Sequence, residues 1–566
     1  MLEIRNFPAD MGTLDINPHD MKACLLSGLF EETVEINGCR RSFYTYLTPG
    51  LHYTRPVLII ALDEKAEITE DWLAFADRHE IFLHFAVAEG SWNLDGTDGD
   101  YMNKVYLAIQ SRRHYVVIQD NVYAMGFGKG AVIAQQAVMK MSSEWSGLAT
   151  FGDLGKEAML NAEATIGAQN TGKTELTVSA AKLPVPVWMG WSKTNADEEN
   201  VKAYWLKQND SSDESFANKW ATEIHFPSSV NRKGSVNEEK TAQVRISEGY
   251  TMSEELLEAV WTFLAANCRH RGFGAKHLRS RISPEDYGME CRTIEHQGFT
   301  RLWYEYVPES AKNSDEPVPL VVNMHGRGGS AETFVDLSGM SRTAEERNFI
   351  VIFPEAGVYK QRPDGLANIL LWNGFYKDME FDDAGFILKA IEDVKKRYHI
   401  DTTRIYACGQ SSGGMMTSSL ALKAPEVFAA VSPWSAIVDP EHELVLPERI
   451  EPKVPYLFLF GENDWLCVNR KEGKLEYHVD KDIAAFLENL MDLYGLDHTP
   501  CTYTCGEISY YVYFDQDGVP MLTVGTVKEM SHANYPRESW IAYDEFMCRF
   551  SKTADGSLLY MGRKVR

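Results

Sequence analysis

The feature that most constrains the fold is an internal repeat. The segments VEINGCRRSFYTYLTP and IEHQGFTRLWYEYVPE begin at Val34 and Ile294, and their glycines, Gly38 and Gly298, are 298 − 38 = 260 positions apart. Each segment has two alternating runs around a turn that contains glycine, which predicts a β-hairpin. An apolar run, PVLIIAL in the first half and PLVVNMH in the second, follows each hairpin and predicts a buried strand.

The repeat continues along both halves of the chain. The segments YVVIQDNVYAMGFGKGAVIAQQAV and RIYACGQSSGGMMTSSLAL each read as a strand, a glycine-rich turn and a helix. Strands that alternate with helices predict a mostly parallel sheet covered by helices on both faces. A chain of 566 residues exceeds what one hydrophobic core normally covers. We therefore predict tandem α/β domains, 1–275 and 276–566, which meet in the basic, glycine-containing segment 269–283.

The composition excludes several classes of protein. The 56 basic and 81 acidic residues give a net charge of −25, so we expect no nucleic-acid partner and no anionic membrane partner. No apolar stretch reaches the ~18 residues that span a bilayer, and the first residues do not resemble a signal peptide. The nine cysteines are scattered and lack zinc-binding spacing. We expect a cytoplasmic protein that needs no metal and no cofactor.

A nucleophile motif lies in the second half. The sequence GQSSG at 409–413 matches G-x-S-x-G, between the apolar run RIYAC and a helix-like segment. In that context the serine occupies a tight strand-to-helix turn, where glycines let neighbouring backbone approach closely. We predict Ser411 as the nucleophile and the main-chain N–H of Ser412 as one oxyanion donor. The main-chain N–H of Arg327, in the turn HGRGG, is the predicted second donor.

The acid and the base are expected after the serine, in that order. The apolar run VPYLFLF ends in the turn GEND, which places Asp464 at the carboxyl edge of the sheet, where active sites collect. Glu462 lies in the same turn, and spacing does not distinguish the two carboxylates, although we prefer Asp464. His532 follows the apolar run MLTVGTV and precedes the last helix, so we predict it as the base. We call the strand-to-helix turn at 409–413 the elbow. The other histidines that follow it lie in acidic or helix-like segments: His442, His478 and His498.

From about residue 291 to 550 the chain resembles the esterase family of polyhydroxybutyrate depolymerases and feruloyl or acetylxylan esterases, within the α/β-hydrolase superfamily. The resemblance rests on six motifs in this order: HGRGG, LWNG, DDAGFI, GQSSGGMM, GENDW and SHANYP. It implies that Ser411, Asp464 and His532 form the triad of a serine esterase that hydrolyses soluble acyl, hydroxycinnamoyl or hydroxyalkanoate esters. Because the two halves have matching sequence patterns, the resemblance implies that both are α/β-hydrolase domains.

Two departures from the family concern the substrate pocket. Extracellular members often carry cysteine where Arg327 stands, and the histidine segment usually has tryptophan before proline, where this chain has Tyr535. The resemblance therefore does not determine the shape of the substrate pocket. Three tryptophans are candidates for lining it, with core packing as the alternative for each: Trp372, Trp434 and Trp465.

The first half lacks the residues of this chemistry. Its counterpart of the elbow, GFGKG at 126–130, has Gly128 at the nucleophile position, so we predict a degenerate domain that serves packing, substrate shaping or dimerisation. An idle domain is free to present an interface, and a homodimer is one arrangement that this would allow. The segment 167–174, GAQNTGKT, matches the P-loop pattern G-x-x-x-x-G-K-[ST]. It lacks the preceding strand and following helix that phosphate binding requires, so we expect no nucleotide there.

Two alternatives to an esterase stay open. A peptidase or amidase would use the same serine, histidine and aspartate, so the residues do not distinguish it from an esterase. A non-catalytic protein that binds a ligand such as a nucleotide through 167–174 would need no reactive serine.

Overall fold

We describe the protein from a computed structural model of the 566-residue chain. The described residues are 2–8, 26–50, 54–110, 112, 115–160, 165–168, 176–228, 241–270, 277–312, 314–359, 369–374, 381–436, 450–464, 468–471, 474–477 and 481–565.

The first half alternates strands and helices. Its strands are β1 (Ile4–Asn6), β2 (Gly28–Ile36), β3 (Cys39–Leu47), β4 (Thr54–Leu62), β5 (Phe82–Val87), β6 (Val116–Phe127), β7 (Gly147–Phe151), β8 (Thr165–Ala168), β9 (Leu176–Ser179), β10 (Val187–Trp191), β11 (Ser211–Phe216), β12 (Glu223–Pro227), β13 (Val244–Glu248), β14 (Asn267–His270) and β15 (His277–Ser280). Its helices are α1 (Glu70–His79), α2 (Thr97–Ile109), α3 (Gly130–Lys140), α4 (Ala196–Gln208) and α5 (Glu254–Ala265).

The second half repeats this alternation. Its strands are β16 (Glu290–His296), β17 (Phe299–Tyr306), β18 (Val318–Met324), β19 (Ile350–Pro354), β20 (Val358–Tyr359), β21 (Ile369–Leu370), β22 (Ile400–Gln410), β23 (Ala430–Trp434), β24 (Tyr456–Gly461), β25 (Val468–Lys471), β26 (Lys474–Tyr477), β27 (Cys501–Cys505), β28 (Ile508–Phe514), β29 (Pro520–Val527), β30 (Phe550–Lys552), β31 (Leu558–Tyr560) and β32 (Arg563–Lys564). Its helices are α6 (Glu309–Lys312), α7 (Ala331–Leu337), α8 (Met340–Arg347), α9 (Asp383–Arg397), α10 (Ser412–Lys423), α11 (Lys481–Tyr494) and α12 (Glu538–Trp540).

Each half forms its own large sheet, and the two sheets share one strand order. The first sheet runs β1-β2-β3-β5-β4-β6-β7-β10-β13-β12-β11, and the second runs β16-β17-β19-β18-β22-β23-β24-β29-β28-β27. If the edge strand β1 is left out and strands are numbered along each half, both orders are 1-2-4-3-5-6-7-10-9-8. The central strands pair in parallel, and the outer strands pair antiparallel. The edge strand β1 is an exception, since it pairs with β2 in parallel. The predicted α/β fold class is confirmed, since each half of the chain forms a large, mostly parallel sheet with flanking helices.

The hairpin that opens each sheet has the same turn. The two-residue turns are Asn37-Gly38, with φ of 51° and 78°, and Gln297-Gly298, with φ of 52° and 80°. Positive φ at both central residues defines the type I′ turn, whose twist matches that of the flanking strands. Both predicted hairpins are therefore present, and their registers match at the 260-residue offset.

Helices cover both faces of the first sheet. Alternate residues of β4 belong to two different hydrophobic cores, because successive side chains of a strand point to opposite faces. One core includes buried residues of α2, α3 and α4, and the other includes buried residues of α1 and α5. The apolar run PVLIIAL is thus buried on both sides, as is typical of a central parallel strand.

The predicted domain boundary, between residues 275 and 276, lies outside the described residues. The described flanks of that position are β14 and β15, which pair antiparallel. The last strand of the first large sheet ends at Glu248, and the first strand of the second large sheet begins at Glu290. The β14–β15 pair therefore lies between the two sheets in sequence. The division at 275 remains a prediction.

Three further observations apply only to the described part of the chain. No helix there has both the length and the apolar character needed to cross a bilayer. Its seven cysteines are free thiols. No group of three or more histidines, cysteines, aspartates or glutamates is arranged to hold a metal ion.

Candidate active site

The sharp turn between β22 and α10 places Ser411 at the carboxyl edge of the second sheet. Ser411 has φ of 54° and ψ of −120°, a conformation that L-residues rarely adopt. Its amide donates to the carbonyl of Trp434 at the end of β23 (2.9 Å). A Cβ at Gly409 or Gly413 would overlap the carbonyl oxygen of Met324 in β18. The two glycines of the motif are therefore required by the close approach of two strand ends.

His532 lies within hydrogen-bond distance of both other predicted catalytic side chains. The Nε2 atom of His532 is 3.0 Å from the Oγ of Ser411. The Nδ1 atom of His532 is 3.0 Å from each carboxylate oxygen of Asp464. A carboxylate only accepts hydrogen bonds, so Nδ1 carries the imidazole proton and Nε2 presents a lone pair to the serine. The Asp464 side chain is fully buried, whereas that of His532 is 20% exposed.

Glu462, the competing carboxylate, accepts a hydrogen bond from the main chain. Its Oε2 accepts the main-chain N–H of Glu529 at 2.9 Å, while its own amide donates to the carbonyl of Val527 at 2.8 Å. Glu462 therefore ties the end of β24 to the end of β29. Asp464, two residues further along the turn, is the carboxylate that reaches His532.

The loop that carries His532 is attached to two neighbouring strand ends. The amide of Asn463 donates to the carbonyl of Met530 (2.7 Å), and the Oγ of Ser435 donates to the carbonyl of Ala533 (3.3 Å). A Cβ at Gly461 would overlap the carbonyls of Met530 and Ser531. These contacts place the base beside both the acid turn and the strand next to the nucleophile.

The two turns that contain the predicted oxyanion donors lie next to each other. Ser412 is the first residue of α10, so its amide belongs to the first helical turn, where amides have no acceptor within the helix. The turn that contains Arg327 follows β18 directly, and Met324 of β18 pairs with Gly409. A Cβ at Gly326 would overlap the Oε1 atom of Gln410, which shows how closely this turn approaches the elbow.

The shape of the HGRGG turn is held by His325. His325 is 1% exposed, and its ring Nε2 accepts the amide of Ala356 at 3.1 Å. The ring proton is therefore on Nδ1, which donates to the carbonyl of Gly326 at 2.7 Å. Burial lowers the pKa of His325 to about 4, which keeps the ring neutral near pH 7. His325 is thus a positioning residue of the oxyanion turn that our sequence analysis did not assign.

The structure places two of the three candidate tryptophans in the buried core. Trp372 is 1% exposed, and its indole N–H donates to the carbonyl of His325 (2.8 Å). Trp434 is fully buried, and its indole N–H donates to the Oγ of Ser432 (3.0 Å). Because both polar atoms are satisfied inside the protein, we reassign the two rings to positioning the oxyanion turn and the elbow. Trp465 lies outside the described residues.

Glu538 is a second residue that our sequence analysis did not assign. Its Oε2 accepts the amide of Tyr535 at 3.0 Å, and its Oε1 accepts the side-chain amide of Asn534, so the carboxyl closes the loop that follows His532. Burial raises the pKa of Glu538 to about 8. No local pattern marks this residue, because Glu538 is the first residue of α12 and not the third residue of a capping box.

The raised pKa of Glu538 predicts a stability that falls with pH. The folded protein retains the carboxyl proton up to about pH 8, whereas the unfolded chain releases it near 4.5. This contribution is fully present below pH 4.5 and is lost as the pH rises through 8, by at most about 1.4 kcal/mol per pH unit. Urea unfolding at pH 5.5 and pH 8 should show a smaller difference in Glu538→Gln than in the wild type.

The matched control is Glu488→Gln, at an exposed position of α11, which should keep the pH dependence of the wild type. An unchanged pH dependence in Glu538→Gln would contradict the assignment. Glu355, whose pKa burial raises to about 7, accounts for part of the dependence that remains.

The first half retains the backbone of the elbow without its nucleophile. Gly128 has φ of 54°, the same value as Ser411. Its amide donates to the carbonyl of Phe151 at 3.0 Å, and Phe151 ends β7, the counterpart of β23. Gly126 and Gly130 likewise lie where an added Cβ would overlap neighbouring main chain. The backbone of the elbow is thus present at a position that has no side chain to react.

In this second elbow, a carboxylate occupies the space in front of the main-chain N–H groups at the start of the helix, which we call the amide pocket. The Oδ2 of Asp63 accepts the amide of Lys129, the counterpart of Ser412, at 3.0 Å. Its Oδ1 accepts the amide of Gly130 and the indole N–H of Trp92, each at 2.9 Å. The amides of Lys129 and Gly130 lie at the start of α3, where the helix dipole also favours a negative charge. Our sequence analysis did not foresee that Asp63 would fill this pocket.

A side chain at position 128 should be poorly tolerated for two separate reasons. Its Cβ would overlap the Oδ2 of Asp63, and the positive φ would itself cost about 1–2 kcal/mol. Gly90 also has positive φ, but nothing lies within 4 Å of its Cβ position. We expect Gly128→Ala to lower the free energy of unfolding in urea by at least about 1 kcal/mol more than Gly90→Ala does. Equal losses would show that Asp63 is not fixed in the pocket.

The P-loop-like segment 167–174 lies only partly within the described residues. Its first two residues end β8, and residues 169–174 are not described. The next described element is β9, which pairs antiparallel with β8. A P-loop needs a helix at this point. The described flanks therefore do not have the strand–loop–helix order that nucleotide binding requires.

Comparison with known proteins supports the resemblance proposed for the second half. Residues 303–446 match the family model described as esterase PHB depolymerase. Feruloyl esterase B of Thermothelomyces thermophilus is 31% identical over 139 residues, which are 24% of this chain and 43% of that protein. An acetylxylan esterase of Coprinopsis cinerea is 29% identical over 135 residues, or 23% of this chain and 34% of that protein. The chain thus spans less than half the length of these relatives.

One solved structure is also similar over part of the chain. It is described as acetyl xylan esterase from Aspergillus awamori, with 15% identity and a TM-score of 0.33, and the match covers 45% of this chain and 99% of that one. The family match includes Arg327 and Ser411 but ends before Asp464 and His532, so the acid and the base rest on geometry. The central region of the second half is similar to the polyhydroxybutyrate depolymerase esterases, as predicted.

Proposed function

We propose that this chain is a serine carboxylic-ester hydrolase whose active site is formed by Ser411, His532 and Asp464. The proposal rests chiefly on the 3.0 Å contact between His532 Nε2 and Ser411 Oγ, with the opposite ring nitrogen on a buried carboxylate. A base that is both oriented and adjacent to a serine hydroxyl is what acyl transfer requires. The similarity to named esterases favours an ester over other acyl substrates.

The first half-reaction forms an acyl-enzyme. The Oγ of Ser411 attacks the ester carbonyl carbon while its proton passes to Nε2 of His532. Negative charge develops on the carbonyl oxygen, and the main-chain N–H groups of Ser412 and Arg327 are assigned to stabilise it. The imidazolium is stabilised by Asp464. Collapse of the tetrahedral intermediate breaks the bond to the alcohol oxygen, which takes the proton from Nε2.

The second half-reaction regenerates the serine. Water attacks the acyl carbon and gives a proton to Nε2 of His532, and a second tetrahedral intermediate forms at the same donors. This intermediate expels the Oγ of Ser411, which recovers the proton from the imidazolium. The products are a carboxylic acid and an alcohol, so the step consumes one water and needs no cofactor.

The first half, in this proposal, is a catalytically idle copy of the second. Support comes from the shared strand order and from the elbow that keeps φ of 54° at Gly128. Loss of the serine and occupation of the amide pocket by Asp63 would each prevent acyl transfer. We infer that the two halves arose by duplication and that only the second kept the chemistry.

We propose soluble acyl, hydroxycinnamoyl or hydroxyalkanoate esters as substrates. The named relatives are a feruloyl esterase and an acetylxylan esterase, which directs the first assays to short acyl and hydroxycinnamoyl esters. A peptidase or amidase would use the same triad. Matched p-nitrophenyl esters and p-nitroanilides of one acid therefore distinguish these functions, and we expect turnover of the ester only.

The direct test is covalent labelling of the folded protein with a fluorophosphonate probe, followed by peptide mapping with mass spectrometry. An activated serine attacks phosphorus and displaces fluoride, so the expected adduct is on Ser411. Substitution of His532 by alanine should slow labelling because the base is lost. An adduct at another residue, or no adduct on folded protein, would contradict the proposed site.

A further inference from the structure

The β14–β15 pair joins the two halves of the chain and contacts both. On one side, β14 is fastened to the first half. The Arg269 guanidinium, which is 3% exposed, donates to the carbonyl of Trp145 (2.6 Å) and to that of Pro184 (2.5 Å). The hydroxyl of Tyr123 in β6 donates to the carbonyl of Asn267 (2.5 Å).

Strand β15 connects β14 to the second half of the chain. Strand β15 pairs with β14 along its whole described length. Just after β15, the amide of Arg281 donates to the carbonyl of Ala266 at 2.9 Å. The amide of this arginine is therefore held at the end of α5, and the strand before it is held by β14; both α5 and β14 belong to the first half.

Two arginines, one in β15 and one just after it, contact one helix of the second half. Arg279 forms an ion pair with Asp336 (2.6 Å), and Arg281 forms one with Glu332. Asp336 and Glu332 are four positions apart on α7, so they lie on the same face of that helix. The side chains are 9–25% exposed, so these pairs are less screened by solvent than fully exposed ones.

Helix α7 begins directly after the oxyanion turn. Ser330, its N-cap, follows the HGRGG sequence without a gap and accepts the amide of Thr333 at 3.2 Å. The amide of Ala331 donates to the buried carboxyl of Glu355 at 3.3 Å. A rotation or shift of α7 would therefore move the main chain at 325–329, from which Arg327 supplies its N–H.

We propose that the first half positions the oxyanion turn of the second half, through the ion pairs of Arg279 and Arg281 with α7. In this proposal, the catalytically idle first half keeps the oxyanion turn of the second half in position. Arg279 and Arg281 are positioning residues, since they contact α7 and not the reacting atoms. The effect on rate rests on the proposed esterase function, whereas the mechanical link to α7 does not.

A charge swap tests the link. Arg281→Glu places two carboxylates side by side, and Arg281→Glu combined with Glu332→Arg restores an ion pair with reversed polarity. Since a misplaced donor costs catalysis rather than substrate binding, we expect kcat to fall about tenfold in the single variant and KM to stay within about twofold. The double variant should recover most of kcat.

Hydrogen exchange provides a readout that does not depend on turnover. Amides of residues 325–337 should exchange faster in Arg281→Glu than in the wild type, and the double variant should restore their protection. The matched control is Arg347→Glu, which breaks an ion pair with Asp544 (2.7 Å) within the second half. This variant should leave both kcat and the exchange of residues 325–337 unchanged.

The outcomes separate the inference from the proposed function. Unchanged exchange at 325–337 in Arg281→Glu would overturn the mechanical link. Faster exchange with unchanged kcat, or no recovery in the double variant, would overturn the positioning role. If the wild type hydrolyses no ester, the proposed function fails, and faster exchange in Arg281→Glu that is reversed by the swap would still establish the link.

Discussion

Replacing Ser411 with alanine should lower kcat for a p-nitrophenyl ester by a factor on the order of 10⁴ to 10⁶. The substitution removes only the Oγ atom, which is the attacking atom and lies 3.0 Å from His532 Nε2. Without it, no acyl-enzyme forms, and only the oxyanion donors and substrate binding remain to accelerate attack by water. Initial rates under saturating substrate, with active sites counted by the fluorophosphonate probe in the wild type, measure the loss.

Ser418→Ala is the control for loss of a serine hydroxyl in the same region. Ser418 lies in α10, seven residues beyond the nucleophile; it is fully buried, and among the described residues its Oγ has no hydrogen-bond partner. We expect near-normal turnover from this variant. A loss of less than tenfold in Ser411→Ala, with the fold intact by circular dichroism, would show that another residue is the nucleophile.

Replacing Asp464 with asparagine should lower kcat by about 10⁴-fold while leaving KM nearly unchanged. The Asp464 carboxylate accepts from Nδ1 of His532 at 3.0 Å and so keeps the proton on that nitrogen. An asparagine amide can instead donate to Nδ1, which favours the tautomer with its proton on Nε2. In that tautomer, the nitrogen that faces Ser411 has no lone pair to take the serine proton.

Glu462→Gln provides the comparison within the same turn. Its side chain accepts only a main-chain N–H in the described structure, and the glutamine carbonyl can still accept it. We expect kcat to change by less than about threefold, because a single surface hydrogen bond contributes roughly 1 kcal/mol or less to local stability. If Glu462→Gln were the variant that lost 10⁴-fold, the choice of acid would have to be reversed.

Features that depend on adjacent residues could be read from the sequence. The elbow is one of them, because its turn needs small residues two positions before and after the serine, and GQSSG provides both. The opening hairpins are another, since a two-residue turn determines the register of its strands by itself. The 260-residue offset then extends the same interpretation from one half to the other.

Features that depend on contacts between distant residues were decided only by the tertiary structure. Glu462 and Asp464 are equivalent by spacing, and the position of a loop 68 residues away determines which one meets the histidine. Trp372 and Trp434 carry no sequence mark that distinguishes a pocket wall from a core, because an aromatic ring suits both. Their burial becomes visible only when the strands are assembled.

The two halves show the same division between sequence and tertiary structure. From the sequence by itself came the repeated α/β architecture, the candidate nucleophile and the absence of a side chain at Gly128, since each follows from local pattern and chain order. The tertiary structure decided that Asp63 fills the vacant elbow and that Arg279 and Arg281 reach α7. The physical reason is that hydrogen bonds and ion pairs between remote residues depend on distances that only the packed sheets and helices determine.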